Sequence, residues 1–276
     1  MVVRNLIAWV LWQQMKKMSE SQWSLYKYFA DELQPQDVVI SFNYDVILER
    51  AMDKISKPYR LAPIWGPSGE ANRPIEDKAV TLLKLHGSMD WFDDYPFDEF
   101  HEEINIPSSM FRFLTTNKNS RLSHVYAISD IDTYLTEPRS WVSKAPLIVS
   151  PSHHKIAYLS LLRDLWWGLG QSVGSNLQMA IVGFSMPSHD EYLKQLIFHL
   201  VQSYYEFDFG NDKWTKDSLR LVDYRADEEK QRDFRKSYNF INWSKSEAWF
   251  DGFNRECVPF LFGKWFNHSP PSTPKF

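Results

Sequence analysis

The chain has 276 residues, 43% of them hydrophobic, enough for one large domain or two small ones. Its net charge of -4 and scattered basic residues leave no electrostatic footprint for nucleic acid, and no apolar run approaches the roughly 20 residues of a membrane-spanning helix. The single cysteine, Cys257, excludes an internal disulfide and a zinc site built on paired Cys-x-x-Cys motifs, and points to a cytoplasmic protein.

Residues 3–16 and 20–34 are predicted as helices. The first is amphipathic rather than a signal peptide, because Trp9, Trp12 and Gln13-Gln14 interrupt its apolar run. The second carries Trp23, Tyr26, Phe29 and Leu33 along one side and stops at Pro35. "VVISF" (38–42) predicts a strand covered on both faces. The helix after it places Leu48, Ala51, Met52 and Ile55 at i, i+3, i+4 and i+7. A Pro- and Gly-containing loop at 63–78 precedes a second strand, "AVTLLKLHG" (79–87).

Residues 93–145 read as an irregular or helical insertion, either folded over a site or a solvated excursion. A strand at 145–151 and a helix at 155–172 with Leu159, Leu162, Trp166 and Leu169 follow. "LQMAIVGFS" (177–185) predicts a third buried strand, and Ser188 with Glu191 fits a capping box for a helix carrying Leu193, Ile197, Leu200 and Val201. A fourth strand at 219–224, a charged helix at 226–237 and a Trp- and Phe-rich segment at 246–262 complete the pattern. Strands alternating with helices predict an α/β fold, a Rossmann-like doubly wound and mostly parallel sheet. One main domain is expected over 1–264, with a flexible tail at 265–276.

Ligands of open parallel sheets sit outside the carboxyl ends of the strands, and polar residues concentrate there. The first strand ends in Asn43-Tyr44-Asp45, the second in His86-Gly87-Ser88 and the third in Gly183-Phe184-Ser185. The fourth ends in Asp223, whose carboxylate suits a ribose. Each has a plainer reading: Asp45 and Asp223 as helix caps, Asn43 as a turn residue, His86 as a core histidine, Gly183 and Ser185 as a tight turn. The functional reading rests on all of them falling at strand ends of one polarity.

"SFNYDVILE", "LLKLHGSMDW", "PLIVSPSHHK" and "AIVGFSMPSHDEYLKQLI", in that order, resemble the sirtuin-like domains of bacterial NAD-hydrolysing proteins, many of them anti-phage defence effectors. The resemblance runs from about residue 38 to 255. It implies that NAD is the substrate, that Asn43 and His86 are the catalytic pair, and that Gly183 and Ser185 contact the nucleotide; the acidic residue that follows corresponds to Asp190, whose role reads as structural. The activity implied is cleavage of NAD to nicotinamide and ADP-ribose. The chemistry suits these residue types. A neutral histidine can act as general base on water or on a ribose hydroxyl, and an amide can orient either without adding charge. Asp45 either stabilises the cationic ribose or holds the turn.

The resemblance departs at the front. Such domains open with a strand and a Gly-Ala-Gly turn whose amides receive the pyrophosphate, whereas no glycine here precedes Gly66. An N-terminally incomplete domain is therefore expected, truncated or naturally short. A degenerate, silent protein, or a phosphate site supplied elsewhere, are the alternatives. The zinc ribbon of deacylating sirtuins is missing too, and His153-His154 does not replace it, so no metal is expected and deacylation ranks below hydrolysis. The competing function is a catalytically silent module that binds a nucleotide or a partner protein. A nucleic-acid-binding reading has only the aromatic content to recommend it. A homo-oligomer or a defence partner protein is expected, with no nucleic acid and no membrane.

Overall fold

The computed structural model describes residues 2–63, 78–93, 111–115, 118, 120–136, 145–149, 162–166, 169, 176–186, 190–206, 215–263 and 266. The chain divides into two compact units, Met1–Trp167 and Gly168–Phe276.

The first unit opens with α1 (Val2–Lys16) and α2 (Glu20–Glu32). Ser19 and Gln22 form a capping box at the start of α2, each side chain covering the other's backbone amide. Then come β1 (Val38–Ser41), α3 (Ile47–Lys54), β2 (Tyr59–Arg60) and β3 (Val80–Lys84). These strands form a parallel sheet in the order β1-β3-β2, with Ser41 opposite Lys84. The central strand β3 is buried at every position.

β1 departs from the expectation of a strand covered on both faces. Val38 is 52% exposed and the remaining three residues are half-buried. Among the described residues β1 pairs with β3 alone. An apolar, β-branched run reports side-chain chemistry, not how many neighbouring strands will cover it.

The segment expected to be irregular or helical also contributes strands. β4 (Trp91–Asp93), β5 (Phe111–Phe113) and β6 (Val125–Ile128) make an antiparallel sheet in the order β4-β6-β5, followed by α4 (Ile131–Thr136). Ala8, Trp12 and Met15 on the inner side of α1 share one apolar cluster with Phe92, Tyr126, Ile128, Ile131 and Tyr134. The Trp12 indole donates to Asp132, which also pairs with Arg50 at 3.3 Å. The insertion thus shares one core with the N-terminal helix and with Val46, Met89 and Ile148. Of the strand expected at 145–151, residues 145–149 carry a single antiparallel bridge, Gly87 to Ile148, and residues 150–151 fall outside the described residues. Of the helix expected at 155–172, Arg163–Trp166 is helical (α5), and residues 155–161 fall outside the described residues.

The second unit contains β7 (Ala180–Val182), α6 (Glu191–Glu206), β8 (Leu219–Val222), α7 (Glu228–Ser237), β9 (Ser246–Trp249) and α8 (Cys257–Phe262). Its strands form a second parallel sheet, β7-β8-β9. β8 is fully buried, but Val182 on β7 is 41% exposed, so this strand too is less covered than its apolar sequence suggested. Ser188 lies outside the described residues. The cap seen on α6 is Asp190, whose Oδ1 accepts from the Leu193 amide at 3.1 Å. Helices alternating with parallel strands make this an α/β fold of the Rossmann-like kind. Among the described residues, no helix is long and apolar enough to cross a membrane.

Candidate functional site

The three residues of the turn after β1 do three different jobs. The Tyr44 hydroxyl donates to the Val149 carbonyl at 2.8 Å, while its own carbonyl accepts the Met89 amide at 2.8 Å. Asp45 Oδ1 accepts the Ile47 amide at 3.1 Å, satisfying a donor at the start of α3. The Asn43 amide donates to Ser41 Oγ at 3.2 Å, and Asn43 itself is exposed. Phenol and carboxylate hold the turn in place, and the asparagine faces outward.

The turn after β3 is fixed from the opposite side. His86 is 4% exposed and sits among three rings, with centroids 5.5 Å from Phe42, 6.2 Å from Tyr44 and 6.5 Å from Trp166. Its carbonyl accepts the Val149 amide at 2.9 Å. Gly87 has φ +81°, and a β-carbon there would lie 1.8 Å from the Leu147 carbonyl oxygen. Only glycine fits. The Ser88 amide donates to that same carbonyl at 3.0 Å. Residues 147–149 therefore stitch both turns together. Asn43 and His86 each stand two residues beyond the Ser41–Lys84 pair, on strands spaced about 4.8 Å apart.

Beneath the turns lies an ionic cluster that sequence reasoning missed. Lys84 Nζ pairs with Glu49 Oε1 at 2.8 Å and donates to the Asp45 carbonyl. Ser88 Oγ donates to Asp90. Burial pushes the Glu49 carboxyl up; Lys84 opposes the shift and Asp90 adds to it. Burial also raises the Asp90 carboxyl, against the attraction of Lys84. A lysine inside the otherwise apolar run "TLLKL" was the available signal, because lysine is almost never fully buried without a partner.

In the second unit, Gly183 and Asp223 each follow the paired residues Val182 and Val222 by one position. The Gly183 amide donates to the Val222 carbonyl at 2.8 Å. Gly183 has φ +63° and nothing within 4 Å of a would-be β-carbon, so its backbone is open to close approach by a ligand. Ser185 is exposed. The Tyr238 hydroxyl pins the carbonyl between them, that of Phe184, at 2.6 Å. Asp223 has both oxygens engaged: Oδ1 accepts the Tyr224 amide at 2.7 Å and Oδ2 pairs with Arg225 at 2.8 Å. A carboxylate keeps further lone pairs for a ribose hydroxyl.

The structure thus gathers Asn43, Asp45 and His86 at one sheet edge of the first unit, and Gly183, Ser185 and Asp223 at one sheet edge of the second. Among the described residues, no group of three or more His, Cys, Asp or Glu is placed to hold a metal ion.

Parallel strands with helical crossovers and polar turns at their carboxyl ends are the architecture of nucleotide-binding α/β folds. A family model described as a SIR2-like domain matches residues 37–241, and the chain belongs to that family. No curated protein matches the chain. Family membership implies a sirtuin-type, NAD-related function.

Proposed function

We propose that this protein is a sirtuin-like NAD glycohydrolase that cleaves NAD to nicotinamide and ADP-ribose, acting in anti-phage defence. The observation that carries the reading is the matched placement of Asn43 and His86 beyond the Ser41–Lys84 pair. In hydrolysis the bond between nicotinamide and ribose C1′ breaks, and nicotinamide leaves with the bonding pair. Water adds to C1′ and its proton passes to His86, the general base. Asn43 orients the water or the ribose. The open backbone at Gly183 and the exposed Ser185 suit contact with the nucleotide, and Asp223 retains acceptor capacity for a ribose.

One observation favours the second reading, a silent nucleotide-binding module. His86 is nearly sealed among aromatic rings, as a purely structural histidine would be. Nicotinamide release from NAD by the wild type, His86→Ala and Asn43→Ala proteins separates the two. Activity in the wild type that both substitutions abolish supports the hydrolase. A wild type that binds NAD and releases no nicotinamide supports the module.

A further inference from the structure

Lys84 is the one lysine within a strand whose five positions are all buried, and its side chain is 3% exposed. A cation at such a place is stable only with partners of good geometry. An apolar residue would fill a β-strand interior at lower cost, so what the ammonium reaches matters. One donor goes to Glu49 Oε1 at 2.8 Å, in the first turn of α3. Another goes to the main-chain carbonyl of Asp45, inside the turn that carries Asn43. The chain continues from this lysine to His86 two residues later, in the turn after β3.

A second tie acts in parallel. Ser88 Oγ donates to Asp90 Oδ1 and approaches the Tyr44 carbonyl at 3.4 Å, and the Met89 amide donates to that carbonyl at 2.8 Å. Asp90 in turn interacts electrostatically with Lys84 and with Glu49. The buried cation therefore pairs directly with Glu49, on the helix after the first turn, and acts electrostatically on Asp90, after the second. A merely space-filling residue would touch neither turn's main chain.

We propose that Lys84 is a positioning residue: through the Asp45 carbonyl and Glu49 it fixes the turn bearing Asn43 against the strand end bearing His86. Its structural part stands on the geometry alone. Its consequence for catalysis rests on the NAD-hydrolase reading.

Lys84→Met alone leaves the buried Glu49 carboxylate without its partner and is expected to lower Tm. It is therefore combined with Glu49→Leu or Glu49→Met, two uncharged pairs of different shape, and the pair whose Tm returns to that of the wild type is used. In that protein the Met89 amide is expected to exchange with deuterium at least about tenfold faster, while the Ala30 amide of α2 keeps its protection. Where the wild type releases nicotinamide, kcat is expected to fall about tenfold or more with KM little changed, as for the loss of alignment rather than of binding. Unchanged Met89 protection at matched Tm overturns the proposal. Faster Met89 exchange with an unchanged kcat overturns its catalytic part. A wild type without nicotinamide release defeats the hydrolase reading alone, and the exchange measurement still decides the role of Lys84.

Discussion

The Gly87 α-carbon faces the Leu147 carbonyl so closely that a β-carbon would sit 1.8 Å from its oxygen. The same carbonyl accepts the Ser88 amide, so it cannot swing away without giving up that bond. Gly87→Ala combines this clash with a left-handed backbone at φ +81°. It is expected to cost on the order of 3 kcal/mol or more in unfolding free energy. Gly183→Ala is the control: it also has positive φ but open space around it, and is expected to cost about 1–2 kcal/mol. Equal losses in calorimetry would show that the Leu147 contact yields more readily than its geometry indicates.

Tyr44→Phe removes the hydroxyl that reaches Val149 and leaves that carbonyl short of a donor. A loss of about 1 kcal/mol is expected, the cost of an unmade, partly buried hydrogen bond. The Val149 amide donates separately to the His86 carbonyl, so the loosened segment bears directly on His86. Tyr44→Phe should therefore speed exchange at the Val149 amide as well as lower Tm. A protein with wild-type protection at Val149 would mean that the bridge between residues 87 and 148 holds the segment unaided.

The two fully buried strands, β3 and β8, were legible because a continuous apolar run bounded by polar turns has few other readings. β1 and β7 carry equally apolar sequences but lie at sheet edges among the described residues. Strand neighbours are a long-range property that no local window contains. β5 and β6 were missed for a related reason: three- and four-residue strands gain regularity only by pairing, β5 with β6 and β6 with β4, and β6 by packing in one cluster with α1. At the candidate site, Asn43 and His86 were legible because an amide and an imidazole just past apolar strands stand out chemically. Val149, which binds Tyr44 across 105 residues, and the Trp166 ring beside His86 gave no such local sign. Lys84 did give one, as a charge among buried leucines.

The ionic cluster predicts a pH dependence of stability. The Glu49 carboxyl is raised above its ordinary 4.5 by burial, with Asp90 adding to the shift. A carboxyl whose folded pKa exceeds its unfolded value binds its proton more tightly when folded. Its contribution is therefore fully present below the unfolded pKa and is lost as pH rises through the folded one. Glu49→Gln stays neutral and lacks that loss. Urea unfolding across about pH 4 to 8 should show the wild-type free energy falling relative to the variant as pH rises from 4.5. Any pH-independent change in packing or hydrogen bonding at position 49 displaces the whole variant curve, so the difference in slope is the readout. Parallel curves would place the Glu49 pKa at its ordinary value.

The turn after β1 also separates holding from chemistry. Asp45 Oδ1 accepts the Ile47 amide, and asparagine accepts there nearly as well, so Asp45→Asn is expected to change unfolding free energy by only about 0.5 kcal/mol. If Asp45 serves the turn alone, nicotinamide release by this variant stays within about threefold of the wild type, whereas His86→Ala and Asn43→Ala each lose about 100-fold or more, the scale of a positioned general base. If the carboxylate also stabilises positive charge on the ribose, Asp45→Asn falls as far as His86→Ala while its Tm stays unchanged. Rates measured at matched Tm for the three variants therefore assign the carboxylate. Full activity in folded His86→Ala would remove His86 from the chemistry, leaving it as the ring-packed core histidine its burial resembles.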